Sequence, residues 1–212
     1  FMELELYTDT YVRFCDLLSK PDASVLEIGC GPGNITRHLL DLQPNLQVLA
    51  TDISKNMIEL TKKNNPTIEA QALDCRYLNK ITDKFDGIVC GFTIPYLEKT
   101  DLLKFIKDCT QALNEDGILY LSFVEGNYSN SGFLSGSSGD RTYFYYYDFE
   151  TIKTVPFLVN KSTLFWKTPF SFQIASMLPF KNHEFKKNFF IPNFLRGKST
   201  AMTSVAIKKK RS

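Results

Sequence analysis

The chain has 212 residues, of which 43% are hydrophobic and 23% are charged, and its formal net charge is +2. This length and composition are those of one ordinary globular domain, and they exclude a disordered chain. Because no apolar run reaches the roughly 18 residues that cross a bilayer, and the first five residues do not form a secretory signal, a membrane-spanning protein and a secreted disulfide scaffold are also excluded.

In chain order, the first 125 residues alternate strand-like and helix-like segments, which predicts βαβ units and a parallel sheet. The predicted strands are short apolar runs at residues 24–29, 46–51, 67–73, 85–91 and 118–124. The predicted helices run from about Asn34 to Leu42, from an N-cap at Ser54 onward, and over Asp101–Leu113.

The pattern changes after the fifth strand. Residues 126–140 are rich in Gly, Ser and Asn, which predicts a long mobile loop, and loops of this length are usually functional or disordered. Four tyrosines follow within residues 143–147, and prolines then interrupt the candidate elements of residues 155–199. Only residues 200–208 in this part predict a strand, the last one of a single domain.

The small net charge is the sum of an acidic part and a basic part of the chain. Residues 1–150 carry 13 basic and 22 acidic side chains, whereas residues 151–212 carry 12 basic side chains and the single acid Glu184. Such a basic segment, which also holds nine of the 18 phenylalanines, suits either contact with nucleic acid or a cover that packs on the core. We favour the cover, because no nucleic-acid-binding motif is present.

The five cysteines are odd in number and widely spaced, with no CxxC pair, and the chain has two histidines. Buried thiols in a reducing cytoplasm explain this pattern best, so we expect a cytoplasmic protein without a structural metal site. A Cys–His catalytic pair stays open as an alternative. Because the chain opens on Phe1 with Met2 behind it, the position of the native N-terminus stays open, as does the oligomeric state.

A glycine-rich turn follows the first predicted strand, in the run VLEIGCGPGN over residues 25–34. Glycines at alternate positions let a ligand lie against bare backbone, and the helix that follows favours an anionic group at its N-terminus. The dinucleotide fingerprint G-x-G-x-x-G would need glycine where Asn34 stands. The turn therefore predicts a ligand site, though not that of a dinucleotide.

Acidic residues end three successive strands: Glu27, Asp52 and Asp74. Because ligands of open α/β sheets bind at the carboxyl ends of the strands, we expect the three carboxylates to converge on one crevice. With no Lys or Arg in the glycine turn, such a crevice suits a ligand of net positive charge.

S-adenosylmethionine matches this crevice group by group. Glu27 can accept from its ammonium, Asp52 from both ribose hydroxyls, and Asp74 from the adenine amino group. The carboxylate can meet backbone N–H groups of the glycine turn, and Ile53 and Met57 can flank the adenine ring.

On these residues the chain resembles the class I, Rossmann-like S-adenosylmethionine-dependent methyltransferases. VLEIGCGPGN is similar to the family's first motif, and ATDIS (50–54) is similar to its second. ALDCRYL (72–78) is similar to its third motif, and FDGIVCGFTIPYL (85–97) is similar to its fourth. The resemblance covers about residues 20–126. A narrower one, to small bacterial methyltransferases with an SSSGDR-x-YFYY segment, lies at residues 137–146.

The resemblance implies a three-layer α/β sandwich whose mostly parallel, seven-stranded sheet has its last strand antiparallel. It implies one domain over residues 1–212, with a cofactor-binding core at 20–126, a variable loop and acceptor-side cap at 127–199, and a last strand at 200–208. The expected cofactor contacts are Glu27, Gly29, Cys30, Gly31, Gly33, Asp52, Ile53, Met57, Asp74, Cys75, Gly91 and Phe92. In the family, helical sequence upstream usually closes over the cofactor, and here only residues 1–18 can supply part of it.

The acceptor is unidentified, and we expect a small molecule rather than nucleic acid. The candidate catalytic or acceptor-side residues are Arg141, Tyr143 and Tyr145, followed by Asp140, Glu125 and Tyr96. We expect the 126–142 loop to close over the substrate and Arg141 to meet an anionic group. Two other functions stay open: a non-catalytic S-adenosylmethionine-binding protein and a nicotinamide-dependent oxidoreductase.

Overall fold

The computed structural model of the protein describes residues 7–135, 141–155, 162–168 and 202–208. The helices in this part of the chain are α1 (Thr8–Leu17), α2 (Asn34–Leu42), α3 (Lys55–Asn64), α4 (Lys99–Ala112) and α5 (Phe149–Lys153). The strands are β1 (Ser24–Ile28), β2 (Gln47–Asp52), β3 (Glu69–Ala72), β4 (Phe85–Cys90), β5 (Leu113–Val124), β6 (Gly132–Ser135), β7 (Arg141–Phe144), β8 (Ser162–Thr168) and β9 (Met202–Lys208). Short 3₁₀ segments lie at Cys75–Lys80, Ile94–Tyr96 and Tyr128–Asn130.

Seven strands form one sheet in the order β3-β2-β1-β4-β5-β9-β8. The first five are parallel, and β9 pairs antiparallel with both β5 and β8. The predicted mostly parallel, seven-stranded sheet with an antiparallel last strand is confirmed. The order reverses between β1 and β4, so a crevice opens at the carboxyl ends of these strands.

Side chains of alternate residues along the central strands pack on opposite faces of the sheet. Leu26 and Ile88 pack in one hydrophobic cluster with Phe105 of α4. Val25 and Val89 pack in a second cluster that includes residues of α1 and α2. Helices therefore cover both faces, as the predicted three-layer sandwich requires.

Helix α1 lies within residues 1–18, the stretch that the sequence offered for part of an upstream helical cover. Its Tyr11 and Phe14 are fully buried in the sheet's second hydrophobic cluster. Just before the helix, the ring of Tyr7 meets the ring of Phe92 edge-on, with 5.2 Å between centroids. The start of α1 thus lies against the end of β4, where the crevice opens.

The prediction of one long loop over residues 126–140 is wrong in part. A 3₁₀ turn occupies Tyr128–Asn130, and β6 pairs antiparallel with β7 as a two-stranded sheet. The glycines and serines favour a loop locally, but the Phe133 ring packs edge-on against Tyr143, at 5.1 Å between centroids, on the paired strand. Cross-strand aromatic pairs of this kind stabilise a hairpin that composition alone does not predict.

The last part of the chain holds one strand that the sequence predicted and one that it did not. The strand predicted at 200–208 is β9, and β8 is the additional one. The rest of the basic, aromatic segment lies outside the described residues, as does Asp140. Within the described part, none of the helices is long and apolar enough to cross a bilayer.

Candidate functional site

A cavity of about 440 Å³ opens at the carboxyl ends of β1, β2 and β4. Its walls are the glycine turn after β1, the residues that follow β2 and β3, and the segment after β4. The lining residues are Gly29, Cys30, Gly31, Pro32, Asn34, Ile35, Asp52, Ile53, Leu73, Asp74, Cys75, Arg76, Gly91, Phe92, Thr93, Tyr96 and Leu97.

The glycine turn has the backbone conformation that its sequence requires. Gly29, Gly31 and Gly33 all have positive φ, at 70°, 53° and 83°. The N–H groups of Gly29 and Cys30 donate to the Thr51 carbonyl, at 2.8 and 2.9 Å. Such conformations favour glycine and bring the turn close to the end of β2.

Four N–H groups of this turn, those of Gly29, Cys30, Gly31 and Gly33, donate to acceptors within the protein. The Gly31 N–H donates to Asp52, and the Gly33 N–H donates to the Cys30 carbonyl at 2.9 Å. The next N–H groups belong to the first turn of α2, whose N-cap Gly33 has no side chain to cap them. Asn34 and Ile35 in that turn line the cavity.

Asp52 accepts hydrogen bonds from the glycine turn and from the segment that follows β2. Its Oδ2 accepts from the Gly31 N–H at 2.9 Å, and its Oδ1 accepts from the Ser54 N–H at 2.8 Å. These bonds fix the carboxylate at the cavity wall in one orientation. Each oxygen keeps a further lone pair for a hydroxyl donor.

Glu27 is fully buried beneath the glycine turn and is not itself among the lining residues. Its Oε2 accepts a hydrogen bond from the Thr36 hydroxyl of α2, whereas its Oε1 is buried without a hydrogen-bond partner. Burial raises the pKa of this carboxyl to about 8. An unpaired buried acceptor of this kind is costly and points to a donor from a ligand.

Asp74 lines the cavity in a bidentate pair with Arg76. The Arg76 Nε lies 3.0 Å from both carboxylate oxygens, and its Nη2 lies 2.5 Å from Oδ2. The guanidinium holds the pKa of Asp74 below its ordinary value. Any ligand donor that reaches Asp74 therefore shares the carboxylate with Arg76.

Replacing Arg76 with alanine should release Asp74 without damage to the fold. The Arg76 side chain is 48% exposed, so we expect the free energy of unfolding at pH 7 to change by less than about 0.5 kcal/mol. The pKa of Asp74 should rise toward 3.8, which an NMR titration of its carboxyl group measures. A carboxyl whose pKa did not move in the variant would contradict the pairing.

The predicted cofactor residues divide into two groups. Glu27, Gly33 and Met57 do not line the cavity, whereas the others do: Gly29, Cys30, Gly31, Asp52, Ile53, Asp74, Cys75, Gly91 and Phe92. Met57 instead donates its N–H to Ser54, the confirmed N-cap of α3, at 3.4 Å.

The two cavity cysteines are not activated nucleophiles. Burial raises the pKa of Cys75 to about 11 and the pKa of Cys30 to about 12, so both thiols are protonated at pH 7. Among the described residues, no group of three His, Cys, Asp or Glu side chains could hold a metal ion.

The acceptor-side candidates lie on the β6–β7 hairpin and the segment beside it. Arg141, at the start of β7, places its guanidinium over the Phe133 ring, at 4.8 Å from the centroid. Tyr143 and Tyr145 are neighbours, with 4.6 Å between ring centroids, and neither lines the cavity. Tyr96 does line it and is 52% exposed. Glu125 forms an isolated backbone bridge with Tyr147.

The sequence did not predict Arg76 and Thr93 as site residues. Arg76 stands two residues after Asp74, a spacing that could have indicated a local ion pair. Thr93 donates its hydroxyl to the Ile28 carbonyl at 3.3 Å and closes the cavity opposite Gly29. No local pattern indicates that contact, because 65 residues separate its partners.

The strand order, the antiparallel strand beside β5 and the acid-lined cavity at the switch point define the Rossmann-like fold of S-adenosylmethionine-dependent methyltransferases. Residues 25–117 match the family described as "Methyltransferase domain". The match and the fold support a class I methyltransferase, and S-adenosylmethionine is the cofactor of this domain type. The narrower SSSGDR-x-YFYY resemblance is not confirmed, and its residues 137–140 lie outside the described part.

Relatives and solved structures extend the comparison. Malonyl-[acyl-carrier protein] O-methyltransferase of Acetivibrio thermocellus is 31% identical over 116 residues, which are 54% of this chain and 40% of that protein. An uncharacterized methyltransferase of Alkaliphilus oremlandii is 27% identical over 82% of this chain and 80% of its own. The crystal structure of an S-adenosylmethionine-dependent methyltransferase from Clostridium acetobutylicum, 17% identical, covers 99% of this chain and 93% of its own with a TM-score of 0.67.

The chain therefore spans less than half the length of the first of these relatives. The Clostridium acetobutylicum structure, at 17% identity, shows the fold alone.

Proposed function

We propose that the protein is an S-adenosylmethionine-dependent methyltransferase that transfers the methyl group to a small organic acceptor. The observation that carries this proposal is the cavity at the switch point of the sheet. It combines a positive-φ glycine turn, the fixed carboxylate of Asp52 and the unpaired buried oxygen of Glu27. These groups suit a ligand that has hydroxyls and an ammonium and carries no pyrophosphate.

Each polar group of the cofactor has a partner of suitable chemistry in this arrangement. Asp52 would accept from the ribose hydroxyls, and Glu27 Oε1 would accept from the ammonium at the end beneath the turn. The N–H groups of Asn34 and Ile35 at the start of α2 would hold the carboxylate. Asp74, shared with Arg76, would accept from the adenine amino group, with Ile53 beside the ring.

The cofactor supplies a methyl group that is already activated as part of a sulfonium. What this chain must do is hold the acceptor in line with that methyl group and exclude water. Phe92, Thr93 and Tyr96 wall the cavity on the side where the β6–β7 hairpin lies. A general base is required only for an acceptor that is protonated and a poor nucleophile at neutral pH.

Replacing Asp52 with alanine should abolish measurable cofactor binding. Since a hydrogen bond to a charged group contributes about 1.5–3 kcal/mol, we expect at least about a tenfold loss of affinity for each ribose contact removed. Calorimetric titration of S-adenosylhomocysteine into both proteins measures this loss. Asp83→Ala, which removes an exposed carboxylate outside the cavity, is the matched control.

The same titration separates the other functions. Binding of NADH in place of S-adenosylhomocysteine would overturn the proposal in favour of an oxidoreductase. Binding of S-adenosylhomocysteine without methyl transfer to any acceptor in a broad screen of small molecules would favour a non-catalytic binding protein.

A further inference from the structure

The hydroxyl group of Tyr11, on helix α1, is a buried polar group that the site described so far does not use. The Tyr11 side chain is fully buried, and its hydroxyl has no hydrogen-bond partner among the described residues. Tyr120, whose ring centroid lies 5.4 Å from that of Tyr11, pairs its own hydroxyl with the Thr10 Oγ1 at 3.1 Å. A buried hydroxyl without a partner is costly, so it points to a polar group that a ligand supplies.

This hydroxyl lies at the edge of the cavity. A Cβ built on Gly91 would lie 3.8 Å from the Tyr11 Oη and would overlap the Ile35 Cδ1. Gly91 and Ile35 both line the cavity. The Tyr11 hydroxyl therefore lies beside two cavity-lining residues, one after β4 and one in the first turn of α2.

Tyr11 and Glu27 lie on the same side of the sheet, the side that α2 covers. Glu27 accepts a hydrogen bond from Thr36 of α2, and the Tyr11 ring meets the ring of His38 in the same helix edge-on, at 5.6 Å between centroids. In the sheet, Glu27 is in register with the β4 residue two positions before Gly91. Two fully buried groups, the Glu27 Oε1 and the Tyr11 hydroxyl, thus lack partners at the same end of the cavity.

The two groups differ in what they offer a ligand. Burial raises the pKa of Tyr11 well above its ordinary value, and nearby tyrosines and Glu27 add to this, so the hydroxyl keeps its proton at neutral pH and can donate it. The Glu27 Oε1 can accept. An α-amino acid carries the two complementary groups, a carboxylate and an ammonium, on one carbon atom. A ligand whose ammonium lies at Glu27 therefore places its carboxylate next to that position.

From the buried, unpaired Tyr11 hydroxyl beside Gly91 and the unpaired Glu27 Oε1 on the same side of the sheet, we infer that Tyr11 is a further cofactor-binding residue, whose hydroxyl donates to the carboxylate of the amino-acid end of S-adenosylmethionine. Tyr11 lies upstream of residues 25–117, the part that matches the methyltransferase domain family. The inference rests on the proposed function and extends the cofactor site to α1.

The test compares two ligands that differ by the carboxylate. Tyr11→Phe removes the hydroxyl and keeps the ring that packs against Tyr120 and His38. S-adenosylhomocysteine and its decarboxylated analogue S-adenosyl-3-thiopropylamine, which keeps the adenosine and the ammonium, are titrated calorimetrically into the full chain and into this variant. We expect the variant to bind S-adenosylhomocysteine about ten- to a hundredfold more weakly, the range for a hydrogen bond to a charged group, and to bind the analogue as tightly as the wild type.

Stability gives a readout that needs no ligand. Ligand-free Tyr11→Phe should unfold at the same denaturant concentration as the wild type or at a higher one, because it loses an unpaired buried hydroxyl. Tyr120→Phe is the matched control, because it removes a buried hydroxyl that has a partner in Thr10. It should unfold at a lower denaturant concentration and bind S-adenosylhomocysteine as tightly as the wild type.

Two outcomes would overturn the inference alone. Wild-type affinity of Tyr11→Phe for S-adenosylhomocysteine, together with reduced stability, would assign the hydroxyl to a buried water molecule instead. An equal loss of affinity for both ligands would mean that the variant disturbs the cavity rather than a contact with the carboxylate. Wild-type protein that bound neither ligand would overturn the proposed function and the inference with it.

Discussion

Glu27→Gln is expected to stabilise the fold at neutral and alkaline pH while it weakens cofactor binding. The wild-type carboxyl is fully buried, and burial raises its pKa from 4.5 to about 8. Glutamine has nearly the same shape and cannot ionise. The substitution therefore removes a group that the folded state holds in its neutral form up to about pH 8.

The sign of the pH dependence follows from the raised pKa. Between pH 4.5 and pH 8 the unfolded chain releases the Glu27 proton while the folded chain retains it, so the wild-type stability falls as pH rises. The stability advantage of the variant should therefore grow between pH 5 and pH 8 by roughly 3 kcal/mol. Denaturant unfolding at both pH values measures it, with Glu59→Gln, an exposed position on α3, as the control.

The cofactor affinity of the wild type should rise with pH, whereas its stability falls. If Glu27 accepts from the cofactor's ammonium, binding favours the ionised carboxylate, and wild-type affinity should rise from pH 6 to pH 8 with release of a proton. Burial is the main cause of the raised pKa of Glu27, and the neighbouring Asp52 adds to it, whereas Cys30 and Tyr11 stay neutral because burial raises their pKa values. A variant that bound S-adenosylhomocysteine as tightly as the wild type, with the same pH dependence, would remove Glu27 from the site.

The sequence predicted most of the sheet because each signal is local. Ser54 caps α3 as its type and position indicated, and α2 has the predicted bounds, Asn34–Leu42. The acids after β2 and β3 reached the cavity because parallel strands bring their carboxyl ends to one edge. The position of the site followed from this geometry together with the glycine turn, whereas the seven-stranded sheet with its antiparallel last strand was expected from the family resemblance.

What the sequence missed depends on contacts between distant residues. The N–H groups of Gly29, Cys30 and Gly31 donate to Thr51 or Asp52 at the end of β2, which no pattern within the turn shows. The β6–β7 hairpin depends on Phe133 meeting Tyr143 across a segment whose composition favours a loop. Glu27 was expected in the crevice, and its complete burial follows from α2 packing above it.

A pair of matched glycine substitutions should separate folding from binding within a single turn. Gly29 and Gly31 both have positive φ, so alanine at either position costs about 1–2 kcal/mol in backbone conformation. At Gly29 the added Cβ would also lie 2.0 Å from the Thr93 Oγ1, whereas at Gly31 it would meet nothing within 4 Å. Both variants thus carry the cost of the backbone conformation, and only Gly29→Ala adds a steric overlap with Thr93.

We expect Gly29→Ala to lower the free energy of unfolding by about 2–5 kcal/mol, because overpacking adds to the backbone cost. Gly31→Ala should lower it by only about 1–2 kcal/mol, yet its methyl group would occupy the cavity that Gly31 lines and reduce S-adenosylhomocysteine affinity at least about tenfold. Chemical denaturation and calorimetry on each variant measure the two effects.

The contact with Thr93 can be isolated by a double-mutant cycle. Adding Thr93→Ala removes the Oγ1 and should restore part of the stability that Gly29→Ala loses, although the Thr93 Cβ stays 3.2 Å from the new methyl group. The same change should restore none of the affinity that Gly31→Ala loses. Equal destabilisation by the two glycine variants would contradict the contact between Gly29 and Thr93, and unchanged affinity in Gly31→Ala would place the cofactor elsewhere.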